Sequence, residues 1–244
     1  MVGMVSPCYG VSPTNDLWVY AMPQHTGTST VHNFLYQNRK ILNADQQCLH
    51  SHAPVFPKNT TFTFSFLANP FRRVLSNAFH RGIVNNSKEE SVEKFREFVS
   101  KTFCARHFHT TPHCIWVQYS FLNRFPKPIY LSPTSQLNTG FHRVLEHLGY
   151  AKSVFMEFQN HHCAASCSTS FSNLVPGTRS HVTLKQNASF SKMVNEHDHV
   201  KWFDKETEQR VISLFKVDFD AFNFSLNSDD MWNSRGDPKN LKLK

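Results

Sequence analysis

Hydrophobic positions along this chain fall into short alternating runs and helical stripes that follow one another in order. Leu17 to Met22 is an apolar run of strand length. Small and hydroxyl residues from Pro23 to Thr30 separate it from Val31, Phe34 and Leu35, which repeat at helical spacing. From Thr61 to Ala68 the pattern alternates, with Phe62, Phe64 and Phe66 on one face and Thr61, Thr63 and Ser65 on the other. It predicts a strand with one buried face. Asn69-Pro70 supplies a capping residue and a proline at the first helical position. Phe71, Val74, Leu75, Ala78 and Phe79 then line one side of a helix, with Arg72, Arg73, Ser76, Asn77 and His80 on the others.

Ser87 and Glu90 form a capping-box pattern before a helix carrying Val92, Phe95, Val99 and Phe103. A short strand is expected from Pro128 to Leu131. A helix follows from Thr134 to Tyr150, with Gly149 as its stop. The last helix runs from Asp204 to Phe222 with Val211, Leu214, Phe215, Phe219 and Phe222 inward. Residues 1–16 hold Pro7, Gly10 and Pro13 without a period and are expected to form an irregular arm. Residues 227–244 form a polar tail expected to fray. Alternating strands and helices over residues 17–226 predict one three-layer α/β domain, a central parallel sheet flanked by helices.

Composition narrows the partner. At 244 residues and 40% hydrophobic, with 23 Phe, the chain can bury a full core. Its net charge of +8, with 15 His that add charge in acid, suits an anion: a nucleotide cofactor, an acidic glycan or nucleic acid. The basic residues are dispersed without a Lys/Arg run, so no nucleic acid is expected and a general polyanion binder is the weaker alternative. No apolar stretch approaches the roughly 18 residues of a membrane span, and residues 1–16 lack a secretory profile. A complete chain would on this reading be soluble and cytoplasmic. Six Cys and four Asn-x-Ser/Thr sequons would fit a secretory lumen, although an Asn- and Ser-rich chain also produces sequons by chance. His161-His162-Cys163 with Cys167 invites a zinc reading, but no second Cys/His pair at finger spacing follows, and no metal is expected. A variable acceptor-contact loop, with a Cys163–Cys167 bridge as an option, is the preferred reading there.

The loop between the first strand and helix is where chemistry is expected. A helix start offers unpaired N–H groups and the positive end of a dipole, and Gly27 lets backbone approach an anion closely. Thr26, Thr28, Ser29 and Thr30 add hydroxyls. The nucleotide-triphosphatase pattern G-x-x-x-x-G-K-[ST] is absent.

Gln24-His25-Thr26-Gly27-Thr28-Ser29-Thr30 resembles the 5′-phosphosulfate loop of carbohydrate sulfotransferases, usually Lys-Thr-(Gly/Ala)-(Gly/Ser)-Thr-(Ser/Thr), with His25 in the place of the Lys. Asn69-Pro70-Phe71-Arg72-Arg73-Val74-Leu75-Ser76 resembles the family's 3′-phosphate motif, Arg-Asp-Pro followed by x-x-Arg-x-x-Ser, with Ala68 in the place of the leading Arg. Lys185, Asn187 and Ser189 resemble a late Asn-x-Ser cofactor segment.

The resemblance implies a P-loop-like sulfotransferase fold and PAPS (3′-phosphoadenosine 5′-phosphosulfate) as co-substrate, leaving PAP as product, with no metal. It implies an acceptor that is a glycan or another hydroxyl compound. Arg73 and Ser76, with Arg72, would hold the 3′-phosphate. His50-Ser51-His52 resembles the His-x-His segment of uronyl 2-O-sulfotransferases, which makes His52 the base and His50 its support or substitute. His25 would offset charge on the leaving phosphate as a cation, its pKa raised by the phosphosulfate. Cys104 and Cys114 before Trp116-Val117-Gln118 resemble a local disulfide of heparan sulfate 2-O-sulfotransferases, two free thiols being the other reading. Family members with a membrane anchor work in the Golgi lumen, so that compartment is implied if an anchor lies outside this sequence. The two departures, His25 and Ala68, leave open a catalytically impaired PAPS- or PAP-binding relative.

Overall fold

The computed structural model describes residues 8–23, 25–26, 31, 34–35, 38–44, 57–84, 89–106, 114–126, 128–154 and 201–243. Four strands make the main sheet: β1 (Cys8–Val11), β2 (Leu17–Tyr20), β3 (Phe62–Leu67) and β6 (Ile129–Pro133), in that spatial order. β1 runs antiparallel to β2, whereas β2, β3 and β6 are parallel neighbours. Helix α1 (Pro70–His80) follows β3, and α2 (Glu89–Glu97) continues as a π-helical turn, Phe98–Thr102. A second, two-stranded parallel sheet pairs β4 (Cys104–Arg106) with β5 (Cys114–Trp116), followed by α3 (Gln118–Leu122). After β6 come α4 (Leu137–His147), α5 (Lys205–Leu214) and α6 (Lys216–Phe222).

The sheet is covered on both faces, because neighbouring residues of one strand enter different cores. Val19, Ala21 and Leu67 pack with α1, α2, α5 and α6. Trp18, Tyr20, Phe64 and Phe66 pack on the opposite face with Val31, Phe34 and Leu35 and with Phe141, Val144 and Leu145 of α4. The expectation of one buried face on β3 is corrected accordingly: Thr63 and Ser65 are as buried as the phenylalanines. A parallel strand in the middle of a sheet takes a helical layer on each side.

Several boundaries differ from the sequence reading for local reasons. Residues 8–11, expected irregular, are the edge strand β1, whose Cys8 enters the second core. The last helix breaks at Phe215 (φ −113°, ψ 22°), whose ring is fully buried, and α6 then turns Asp218 inward. The tail is folded back rather than frayed. Two 3-10 turns, Ser228–Trp232 and Ser234–Gly236, are followed by bonds from Lys239 N and Asn240 N to the Phe222 carbonyl. Gly149 does stop α4: at φ +74°, its N–H reaches Glu146 O and Tyr150 N–H reaches Leu145 O.

Candidate functional site

β2 and β3 run side by side in the same direction, with Tyr20 opposite Phe64, so their carboxyl ends open at one edge of the sheet. The chain leaving β2 enters the core on one face and the chain leaving β3 enters α1 on the other. Diverging connections of this kind leave a crevice outside the strand ends, the usual ligand position in an open α/β sheet. Both segments that carry the sequence motifs start there.

Beyond β2, Thr26 closes a turn by donating its hydroxyl to Pro23 O at 2.7 Å, and His25 takes a left-handed conformation, φ +60°. That turn carries the His25 ring across to α1. Its Nδ1 lies 3.2 Å from Ser76 Oγ and its Nε2 lies 3.1 Å from Asn77 Nδ2. With the Asn77 amide in this orientation Nδ2 donates to Nε2, which assigns the ring proton to Nδ1, facing Ser76. His25 is therefore a neutral imidazole here. Burial pushes its pKa well below the ordinary value, and His80, Arg73 and Arg81 push in the same direction. The His80 ring stands edge-on at 5.9 Å and is itself lowered by burial and by Arg81. Without an anion present, burial first and then His80, Arg73 and Arg81 disfavour a cationic His25, and an anion entering beside it would favour the cation. Asn77 Oδ1 is buried and has no hydrogen-bond partner. An amide turned over would offer that oxygen to a protonated Nε2.

Arg73 occupies the interior instead of the crevice. It is fully buried, with its guanidinium nitrogen 3.4 Å from Asp218 Oδ2 and its carbon 5.7 Å from the centre of the Phe215 ring. Asp218 also accepts from the backbone N–H groups of Gln118 (2.9 Å) and Tyr119 (2.7 Å). Gln118 in turn clasps Ala68 in both directions, accepting from its N–H at 3.0 Å and donating to its carbonyl at 2.9 Å. Burial lowers Arg73 to about 10 and raises Asp218. Of Arg73 and Ser76, expected on one face reaching one phosphate, Arg73 is paired with Asp218 inside the corner and Ser76 faces His25, whose pKa Arg73 helps to lower.

Arg72 is the better placed cation. It lies in the first turn of α1, half-buried, where no acidic residue offsets the positive helix end. Burial lowers its pKa, and Asp237 of the folded tail counteracts that. The corner is fixed by Asn69, whose Oδ1 accepts from Phe71 N at 3.0 Å while its Nδ2 donates to Gly236 O at 3.1 Å.

Of the remaining expected site residues, Gln24, Gly27, Thr28, Ser29, Thr30, His50, His52, Lys185, Asn187 and Ser189 lie outside the described residues, as does the His161 to Cys167 cluster. The sequence reading missed Asn77, His80, Arg81, Gln118 and Asp218 as members of this corner. Asn77 and His80 follow Ser76 at one and four positions on a helix already marked. The Asp218 partnership spans 145 residues and has no local signal. Cys104 is disulfide-bonded, and the β4–β5 register sets it opposite Cys114. Among known protein families, curated proteins and solved structures, nothing matches this chain.

Proposed function

We propose that the chain is a PAPS-dependent O-sulfotransferase acting on a carbohydrate hydroxyl. The observation that carries this reading is the bond of His25 to Ser76 and Asn77, because it joins the two segments that resemble the phosphosulfate loop and the 3′-phosphate motif. The described residues fit a doubly phosphorylated nucleotide. The first turn of α1 presents Arg72 without an acidic residue in that turn, and His80 and Arg81 stand near His25 at the other end of the helix. Ser76 and Arg72 would hold the 3′-phosphate, and His25 with the loop after it would face the phosphosulfate. PAPS supplies the sulfuryl group. His52, supported by His50, would take the proton of the acceptor hydroxyl, and His25, once its N–H is released from Ser76, would donate that N–H to the phosphate oxygen on which charge accumulates.

Titration calorimetry with PAP and AMP tests the binding half. Stoichiometric binding with a clear preference for PAP is expected, and equal affinities would leave a general polyanion binder. Transfer of labelled sulfate from PAPS across a panel of glycans tests the chemical half. The neutral His25 closed onto Ser76, together with Ala68 in place of a cation, favours one second reading, a PAP-binding relative without turnover. PAP binding with no labelled product on any glycan would establish that relative and remove the enzyme.

A further inference from the structure

Asn59-Thr60-Thr61 meets the N-glycosylation pattern, with no proline in the middle. Asn59 is exposed in the turn that leads into β3, and Thr61 is exposed as well. Thr60 closes that turn, its hydroxyl donating to Pro57 O at 2.7 Å and its N–H to the same oxygen at 3.2 Å, which leaves the carboxamide of Asn59 outside the turn's own bonding. β3 begins three residues later at Phe62 and ends at Leu67, beside the nucleotide corner. At roughly 3.3 Å per residue, Asn59 stands on the order of 20 Å from that corner, at the opposite end of the sheet. A bulky hydrophilic group there covers neither Arg72 nor Ser76. A second feature points to the compartment where such a group is attached. Cys104 is disulfide-bonded, and structural disulfides persist in oxidising lumens and are rare in the cytosol.

We propose that Asn59 is an N-glycosylation site and that the chain is processed in an oxidising secretory lumen. In the transfer step the Asn59 carboxamide nitrogen bonds to the anomeric carbon of an oligosaccharide carried on a polyprenyl pyrophosphate. The anomeric carbon–oxygen bond breaks, the lipid pyrophosphate departs and the amide nitrogen loses one proton. No oxidant or reductant is needed. Asn223 of Asn223-Phe224-Ser225 is also exposed, but the adjoining Phe222 carbonyl receives two bonds from the returning tail, so a glycan there would crowd that contact.

The full chain, isolated from cells that make it, is treated with peptide-N-glycosidase in heavy-oxygen water and digested without reduction. The expected result is a gel-mobility shift on treatment, an Asn59 peptide converted to Asp with one heavy oxygen, and Cys104 recovered in a disulfide. Asn59→Gln and Thr61→Ala should each abolish the label at that peptide, and Thr61→Ser should retain it. An unmodified Asn59 peptide as the main species, or Cys104 recovered as a thiol, would overturn the proposal. PAP affinity should be the same before and after glycan removal, so this result and the nucleotide reading stand or fall separately.

Discussion

His25 is held at φ +60° with both ring nitrogens engaged and cations around it, which ties its protonation to folding. Its folded pKa, like that of His80, lies below the unfolded value near 6.5. As pH falls below about 6.5 the unfolded chain takes up protons that the folded chain resists, so stability present above that pH is lost in acid, at most about 1.4 kcal/mol per pH unit for each fully resisting group. Thermal melts between pH 5 and 8 should show this decline, and His25→Gln should make it shallower. Identical pH slopes would mean that His25 is not held neutral. Arg73 and Arg72 make a second contrast. Arg73→Ala strands a buried Asp218 carboxylate and should cost about 3–5 kcal/mol of stability. Arg73→Met combined with Asp218→Leu should recover most of that loss. Arg72→Ala should leave the melting temperature nearly unchanged and weaken PAP about ten- to a hundredfold, the worth of one charge-assisted hydrogen bond. If Arg73→Met with Asp218→Leu folds but loses PAP selectively, Arg73 belongs in the site after all.

Gly149 shows what a helix end discloses in sequence. Its position after the last apolar repeat marks the stop, and the structure supplies the φ of +74° that the motif needs. Gly149→Ala should cost about 1 kcal/mol, read as a lower urea midpoint with an unchanged slope. Any added Cβ also meets Thr14 Cγ2 at 2.9 Å. A midpoint unmoved by the change would show that the end of α4 relaxes. Signals of this local kind, the strand pattern of β3 and Asn69-Pro70 before α1, were legible because each depends on neighbours in sequence. β1 was not, because an edge strand of four residues containing Gly10 is defined by its pairing with β2 and not by its own pattern. The break at Phe215 was hidden for a similar reason. Val211, Phe215, Phe219 and Phe222 keep helical spacing, and only the packing of Phe215 against Phe103 and Arg73 shows that α6 must turn. The corner around α1 divides the same way: Ser76 and Arg72 stand in a segment marked by its own pattern, whereas Asp218 and Gln118 join it through contacts 145 and 50 residues distant.

Across the whole molecule, the carboxyl-terminal segment closes onto the same edge of the sheet where the strand ends open. Gly236 O holds the Asn69 amide from 167 residues away, and Asp237 accepts from Ser135 just beyond β6 while it offsets the buried charge of Arg72. Gly236 fits because a Cβ there would fall 2.1 Å from Asp230 O, so the turn passes too close for any other residue. A segment that looks like polar tail in sequence thus fixes both the shape and the charge of the corner. The two contributions can be separated. Asp237→Asn keeps the Gly236 contact and removes the carboxylate that competes with an incoming phosphate for Arg72. Removing one like charge beside an incoming phosphate at a partly exposed edge relieves about 1 kcal/mol of repulsion, which salt screens. PAP should therefore bind about fivefold more tightly to Asp237→Asn, and the gain should shrink as salt is raised. AMP, which lacks the 3′-phosphate, should gain much less, and the melting temperature should move little, since the carboxamide oxygen introduced by the substitution can still accept from Ser135. Equal gains for PAP and AMP would place the 3′-phosphate away from Arg72, and no gain for either would place both phosphates beyond the reach of this edge.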